Sequence, residues 1–100
     1  MSLHVTGKSG QLRVGGRVAA SLGDWTLDAE PPKEEWALTG RVTGRDDMLL
    51  ESGVPIELRL QLTNDTWRWR NVQVDGYDVV TVRGTGEPEV IHSSAVPATI

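Results

Sequence analysis

The sequence has no cysteine and no phenylalanine, and only two of its 100 residues are histidine. Without cysteine the chain can form neither a disulfide nor a thiolate metal site, and it has no cysteine nucleophile. No stretch approaches the ~20 apolar residues of a membrane-spanning helix. The N-terminus also lacks the basic and apolar regions of a secretion signal. We therefore expect a protein made in the cytoplasm that has no membrane partner.

Net charge and length further narrow the class of protein and the number of domains. The formal net charge is −4, whereas a nucleic-acid binder usually carries a net basic face. One hundred residues are enough for one domain with a modest core. We expect a single β domain over residues 1–100, with a flexible N-terminal arm (1–8) and a flexible C-terminal tail (88–100), because neither end carries a strong pattern.

The strongest pattern lies between residues 54 and 70. Apolar residues there alternate strictly with polar ones at Ile56, Leu58, Leu60 and Leu62. A period of two predicts a half-buried β-strand. Asn64 and Asp65 follow, and both residue types suit a two-residue hairpin turn. With these two residues as the loop, Leu62 faces Trp67.

The same register places Leu60 opposite Trp69, so the two predicted pairs are apolar and share one face. Beyond Trp69 the apolar residues change parity. One extra residue around Arg70 and Asn71, a β-bulge, restores the match. The pairs then expected are Leu58 with Val72 and Ile56 with Val74.

Further turn signals predict six or seven short strands. Gly15 and Gly16 favour a two-residue hairpin, Gly23 interrupts the following strand, and Asp75 with Gly76 marks a third turn. Alternating apolar residues predict strands over 25–27, 36–43 and 77–83. Between the first two of these strands, residues 28–35 are polar and include two prolines, so we expect a projecting loop.

One short helix is predicted over about residues 46–52. Asp46 can cap its N-terminus and Gly53 can close its C-terminus. The fold class expected is all-β: an antiparallel β-sandwich or partly closed barrel with this one short flanking helix. The predicted core consists of Trp25, Leu27, Trp36, Leu38, Leu58, Leu60, Leu62, Trp67, Trp69, Val80 and Val82.

The sequence offers little catalytic chemistry. His4 and His92 lie near opposite ends of the chain, outside the predicted core. The carboxylate pair Glu34 and Glu35 falls on neighbouring positions, whose side chains point to opposite faces of a strand. We therefore expect no catalytic, metal-binding or cofactor-binding residue, no cofactor and no enzymatic activity.

The run Trp67-Arg-Trp-Arg70 invites interpretation as a base-stacking or sugar-stacking platform. Alternation, however, places the two tryptophans on the core face and the two arginines on the opposite face. Arg68 and Arg70 then share a face with Arg59 and Glu57, where we expect cross-strand pairing with carboxylates.

The order of these segments resembles that of phage tail-tube (major tail) proteins and their relatives at the head–tail joint and baseplate. Residues 7–10 are similar to an opening "G-x-x-G" segment of that superfamily, and Trp25-Thr-Leu27 is similar to its "W-[ST]-L" strand. Residues 38–44 are similar to a "G-[ST]-[FV]-x-G" strand, and residues 80–86 resemble a closing "F-x-G-x-G" strand. The resemblance covers about residues 6–86.

The resemblance implies a structural virion protein of a tailed phage or prophage. Its partners would be copies of itself in a ring, commonly a hexamer, together with other virion proteins. DNA would pass through the stacked rings without sequence-specific contact. An acidic chain suits this task, since a lumen that repels phosphate lets DNA slide. Such a protein would be made in the host cytoplasm and reside in the virion.

Two alternatives stay open. One is another virion role, as a head–tail stopper, terminator or decoration protein. The other is a small carbohydrate- or protein-binding β module that uses a tryptophan such as Trp25 or Trp36. For assembly, we expect the poorly patterned segments to contact neighbouring subunits through Glu30, Pro31, Pro32, Lys33, Val90 and Ile91.

Overall fold

The computed structural model describes residues 3–30 and 34–92, and its strands all pair in antiparallel fashion. Pro31, Pro32, Lys33 and residues 93–100 lie outside the described part. The elements in chain order are β1 (Leu3–Gly7), β2 (Gly10–Val14), β3 (Arg17–Ala29), β4 (Glu35–Arg45), α1 (Asp47–Leu50), β5 (Ile56–Gln61), β6 (Asp65–Gly76), β7 (Val79–Thr85) and β8 (Glu89–His92).

Six of these strands close into a barrel. The order is β3–β2–β5–β6–β7–β4, and β4 pairs back onto β3. β1 and β8 flank this ring, because β1 pairs with β3 and β8 pairs with β6. The predicted all-β antiparallel fold with one short helix is therefore confirmed, and of the two predicted architectures the structure shows the barrel, fully closed.

Closure depends on the length of β3, which runs for 13 residues. The prediction that Gly23 interrupts this strand is wrong. The β3–β4 register shifts between Gly23 and Thr26, and Asp24 adopts a φ of 46°. A local irregularity of this kind bends a strand without ending it. β3 can therefore pair with β2 through its first half and with β1 through its second half.

The first hairpin forms as predicted. Val14 pairs with Arg17, so Gly15 and Gly16 are the two loop residues. Their φ angles are 58° and 82°, the left-handed conformation that a tight hairpin turn requires and that glycine adopts without steric cost.

The loop predicted for the second hairpin is wrong by one residue. The Leu62 N–H donates to the Asp65 carbonyl oxygen at 2.8 Å, so the two loop residues are Thr63 and Asn64. Neither has a positive φ. The prediction relied on residue types that tolerate positive φ, and this turn does not use a positive φ.

Because the loop moves by one residue, each cross-strand pair moves by two. The observed pairs are Leu60 with Trp67 and Leu58 with Trp69, in place of Leu62 with Trp67 and Leu60 with Trp69. A shift of two residues leaves every side chain on its original face. The predicted partners are thus wrong, while the face predicted for both tryptophans is correct.

The predicted β-bulge is present at the predicted place. Arg70 and Asn71 together lie opposite the single residue Glu57, and Asn71 has a φ of 58°. The expected flanking pairs, Leu58 with Val72 and Ile56 with Val74, are wrong, because the observed pairs are Leu58 with Trp69 and Ile56 with Val72. The extra residue of the bulge returns the apolar residues after Asn71 to the core face, as the change in their alternation requires.

The third turn lies later than predicted. Asp75 and Gly76 belong to β6, where they pair with Thr81 and Val80. The chain reverses after them, and β7 begins at Val79, two residues beyond the predicted start of that strand.

The helix is shorter than predicted. α1 covers Asp47–Leu50, and the Asp46 carboxylate accepts a hydrogen bond from the Leu49 N–H, as expected of an N-cap. The C-cap is Glu51, so the helix ends before the predicted closing residue Gly53. Because a helix of one turn is not stable in isolation, the position of α1 depends on contacts with the barrel.

The barrel interior holds the core. Of the predicted core residues, all are buried except Leu62 and Trp67, which are half-buried and pack against the core. The buried hydrophobic residues outside the predicted core are Leu12, Val14, Ala19, Ala20, Leu22 and Val72. Most of these lie on β2 and the first half of β3, where the alternation is short.

Candidate functional site: an apolar groove at one end of the barrel

An apolar groove of about 810 Å³ opens at the end of the barrel where β3 and β7 end and β4 and β6 begin. Both flanking strands contribute to it, β1 through Leu3 and β8 through Val90. The full lining consists of Leu3, Leu27, Ala29, Glu34, Trp36, Trp67, Trp69, Gly86, Glu87, Pro88 and Val90. We call this feature the end groove.

One wall of the end groove is the inner face of β1 and β3. Leu3 lies directly opposite Ala29, and Ala29 lies two residues beyond the buried Leu27, so all three side chains share the face that lines the barrel. Leu3 is nevertheless 45% exposed. The inner face therefore continues past the region that the barrel covers.

The other wall is the inner face of β6 and β8. Val90 lies directly opposite Trp67, which shares a face with the buried Trp69. Val90 is 46% exposed and Trp67 is half-buried. The apolar inner faces of β1 with β3 and of β6 with β8 thus both reach this end of the molecule, and neither covers the other.

A cluster of three tryptophans forms the floor of the end groove. The rings of Trp36 and Trp69 lie with centroids 4.6 Å apart, and Trp67 meets Trp69 edge-on with centroids 6.1 Å apart. The Trp69 indole N–H donates to the Gly86 carbonyl oxygen at 3.1 Å. This hydrogen bond ties the β7–β8 connection to the floor of the groove.

Gly84 makes room for this cluster. A Cβ at this position would lie 2.4 Å from Cζ2 of Trp36, which is closer than side chains tolerate. The Gly86 N–H donates to the Glu34 carbonyl oxygen at 2.8 Å, and this bond links the connection to the segment before β4. The glycines that end the predicted closing strand are thus needed to seat Trp36 and shape the groove.

The two flanking strands each have one unpaired edge. Within residues 3–30 and 34–92, β1 pairs only with β3, and β8 pairs only with β6. An edge strand presents backbone N–H and C=O groups that can pair with another strand. The end groove therefore combines an uncovered apolar surface with two free strand edges.

The predicted interface residues fall in different places. Val90 lines the end groove, whereas Ile91, opposite Thr66, is half-buried on the other face of β8. Glu30 lies in a separate polar depression that also contains Glu35 and Arg83. The other three predicted residues, Pro31, Pro32 and Lys33, lie outside the described part of the chain.

Ion pairs occupy the outer face of the sheet behind the groove. Arg68 pairs with Glu89 across β6 and β8, and Arg59 pairs with Glu57 along β5. The predicted carboxylate pairing of Arg68 is confirmed, as is the separation of arginines and tryptophans onto opposite faces. A sugar platform built on Trp25 or Trp36 does not fit this structure, because both side chains are buried.

A histidine–carboxylate contact lies outside the lining of the end groove. In the described ranges no group of three or more His, Asp and Glu side chains is arranged to hold a metal ion. The His4 Nδ1 lies 2.6 Å from an Asp28 carboxylate oxygen, and both side chains are 63% exposed. No helix in this part of the chain is long and apolar enough to cross a membrane.

Comparison with known proteins adds no relative: no protein-family profile, curated protein or solved structure matches this chain. The class of the protein is therefore defined by its own architecture, a closed six-stranded antiparallel β-barrel with two flanking strands and an apolar end groove.

Sequence reasoning missed the end groove because its walls come from opposite ends of the chain. Leu3 belongs to the segment expected as an arm, and Val90 to the segment expected as a tail. The available signal was a short alternation, in which Leu3 and Val5 alternate with His4 and Thr6. Such a pattern indicates a strand, but it does not show where that strand pairs.

Proposed function

We propose that this protein is a structural subunit that assembles with copies of itself, and that it forms rings in the tail of a tailed phage or prophage. The observation that carries the assembly proposal is the end groove with its two unpaired edges, β1 and β8. A partner strand would cover Leu3, Trp67 and Val90 and would satisfy the backbone groups of an edge. The resemblance of residues 6–86 to tail-tube proteins supplies the phage context.

The charge of the chain is consistent with a conduit for DNA. The formal net charge is −4, and an acidic ring would repel phosphate and let DNA pass without sticking. The same assembly would also serve a stopper, a terminator or a decoration protein. Immunogold labelling of virions would separate these positions, since a tube subunit labels along the tail whereas a joint protein labels at one point.

The experiment that tests self-assembly is sedimentation velocity over a wide concentration range, together with negative-stain electron microscopy. We expect species larger than a monomer that grow with concentration, and rings or short tubes on the grid. A strict monomer at every concentration would overturn the proposal.

A second candidate is a small protein- or carbohydrate-binding module, because the half-buried Trp67 offers an aromatic surface beside the polar side chains of Glu34 and Glu87. This candidate predicts a monomer that binds to a glycan or peptide array, with binding lost in Trp67→Ala. The same sedimentation measurement separates it from the ring-forming subunit.

A further inference from the structure

We propose that residues 93–100 of one copy occupy the end groove of a neighbouring copy as an added β-strand. This inference rests on the proposed function, since it names the segment through which the copies join. It is argued from the shape of the groove, from the sequence that follows β8 and from the place where β8 ends.

The groove sets three requirements for its occupant. The occupant must be extended, because the free edges of β1 and β8 can pair only with another strand. It must present apolar side chains at every second position, because those side chains would face Leu3, Trp67 and Val90. It must also come from outside the paired strands, because every described strand is already paired in the ring or beside it.

The sequence after β8 has the alternation that such an occupant needs. Val96, Ala98 and Ile100 recur with a period of two, which would place them on one face of a strand. Eight residues in extended form reach roughly 26–29 Å, which exceeds the roughly 17 Å of a five-residue strand.

Pro97 is compatible with this pairing. Successive residues of a strand direct their backbone groups to opposite sides, so a proline between Val96 and Ala98 directs its missing N–H away from the edge that these two residues pair with. Proline is found on edge strands for this reason.

The position where β8 ends favours a neighbouring copy over the same copy. β8 ends at His92, opposite Asp65, the first residue of β6. To enter its own groove beside β8, the chain would have to reverse direction at Ser93 and Ser94. Two-residue hairpin turns strongly prefer glycine, asparagine or aspartate, and neither serine meets that preference.

Exchange of this kind is head-to-tail, because the donor segment and the acceptor groove are different surfaces. Head-to-tail contacts close into a ring or grow into a filament, according to the rotation between copies. The geometry therefore agrees with the ring assembly proposed above.

The test compares the full chain with a chain that ends at His92. We expect the full chain to associate and the truncated chain to stay monomeric, with association weakened at least tenfold in sedimentation velocity. If the truncated chain associates as strongly as the full chain, this inference is overturned while self-assembly stands. If the full chain itself is a strict monomer, both the proposed function and this inference are overturned.

Matched variants test the two sides of the contact. On the groove side, Val90→Asp should weaken association at least tenfold, whereas Val79→Asp should leave it within twofold, because Val79 is 57% exposed at the start of β7 and outside the groove. On the donor side, Ile100→Asp should act like the truncation and Thr99→Asp should not. Equal effects within either pair would overturn the inference.

A binding measurement keeps the test independent of the folding of these variants. A fluorescent peptide of residues 93–100 should bind the truncated chain, and the unlabelled peptide should displace it. A peptide with Val96→Asp and Ile100→Asp should neither bind nor displace. Failure of the unmodified peptide to bind the folded truncated chain would overturn the proposed contact.

Discussion

The closed region of the barrel and the end groove differ in how completely their inward-facing apolar surface is covered. In the closed region, Leu12, Leu58 and Val82 have no exposed surface. In the end groove, Leu3 and Val90 face the same interior and yet remain 45% and 46% exposed. Both regions have period-two alternation, so the difference arises from pairing: six strands complete a ring, whereas β1 and β8, within the described ranges, each pair along one edge.

This comparison shows that an alternating pattern specifies a face and does not guarantee that the face is covered. In an isolated chain, the uncovered inner face of the end groove would stay in contact with water. A partner strand would remove that apolar surface from water, which is the main favourable contribution to association. The substitutions below test the comparison in order of expected effect.

The largest effect is expected at the junction of the two regions. Trp69 is 5% exposed, packs against Trp36 and Trp67, and donates its indole N–H to Gly86. Trp69→Ala should lower the free energy of unfolding by about 3–5 kcal/mol, because it leaves a large cavity in the core. Urea denaturation measures this change. A loss below about 1 kcal/mol would mean that this region is not packed as described.

A smaller effect is expected at Gly84, which seats Trp36 in the floor of the groove. A methyl group there would lie 2.4 Å from Cζ2 of Trp36, so Gly84→Ala should cost about 1–3 kcal/mol through overpacking. Gly44→Ala is the matched control, since nothing lies within 4 Å of its Cβ position, and it should change stability by less than about 0.5 kcal/mol. Equal melting shifts for the two variants would contradict the described position of Trp36.

The bulge that restores the apolar parity of β6 should respond to residue type at Asn71. With a φ of 58°, this position is left-handed, so Asn71→Val should lower stability by about 1–2 kcal/mol. Asn71→Gly should have little effect or stabilise slightly, since glycine adopts this conformation freely. Chemical denaturation of both variants would show the contrast, and a tolerated valine would argue against the bulge.

The smallest effect is expected on the outer face. Arg68→Gln removes the ion pair with Glu89. The side chain of Arg68 is 16% exposed and that of Glu89 is 53% exposed, so the loss should be about 1 kcal/mol and should shrink at high salt. Arg41→Gln is the control, because Arg41 is exposed and forms no ion pair within the described ranges. Thermal melting at low and high ionic strength would separate the two.

Much of the fold follows from local signals. The Gly15–Gly16 turn could be predicted because only a few residue types adopt positive φ at two successive positions. The bulge at Arg70 and Asn71 could be predicted because the parity of apolar residues changes there. The register of the β5–β6 hairpin could not, because a shift of two residues leaves every side chain on the same face and the pattern is then identical.

The residues alone predict which side chains point inward, since strand geometry sends alternate residues to opposite faces whatever the strand pairs with. Trp25, Leu38 and Val82 follow from that rule alone. The rest depends on tertiary structure: β3 is long enough to close the ring, and within residues 3–30 and 34–92 β1 and β8 each pair with it along a single edge. Pairing across distant parts of the chain depends on the summed packing of all strands, which no local pattern contains. The end groove exists for that reason, because Leu3 and Val90 line one groove only once the barrel has closed.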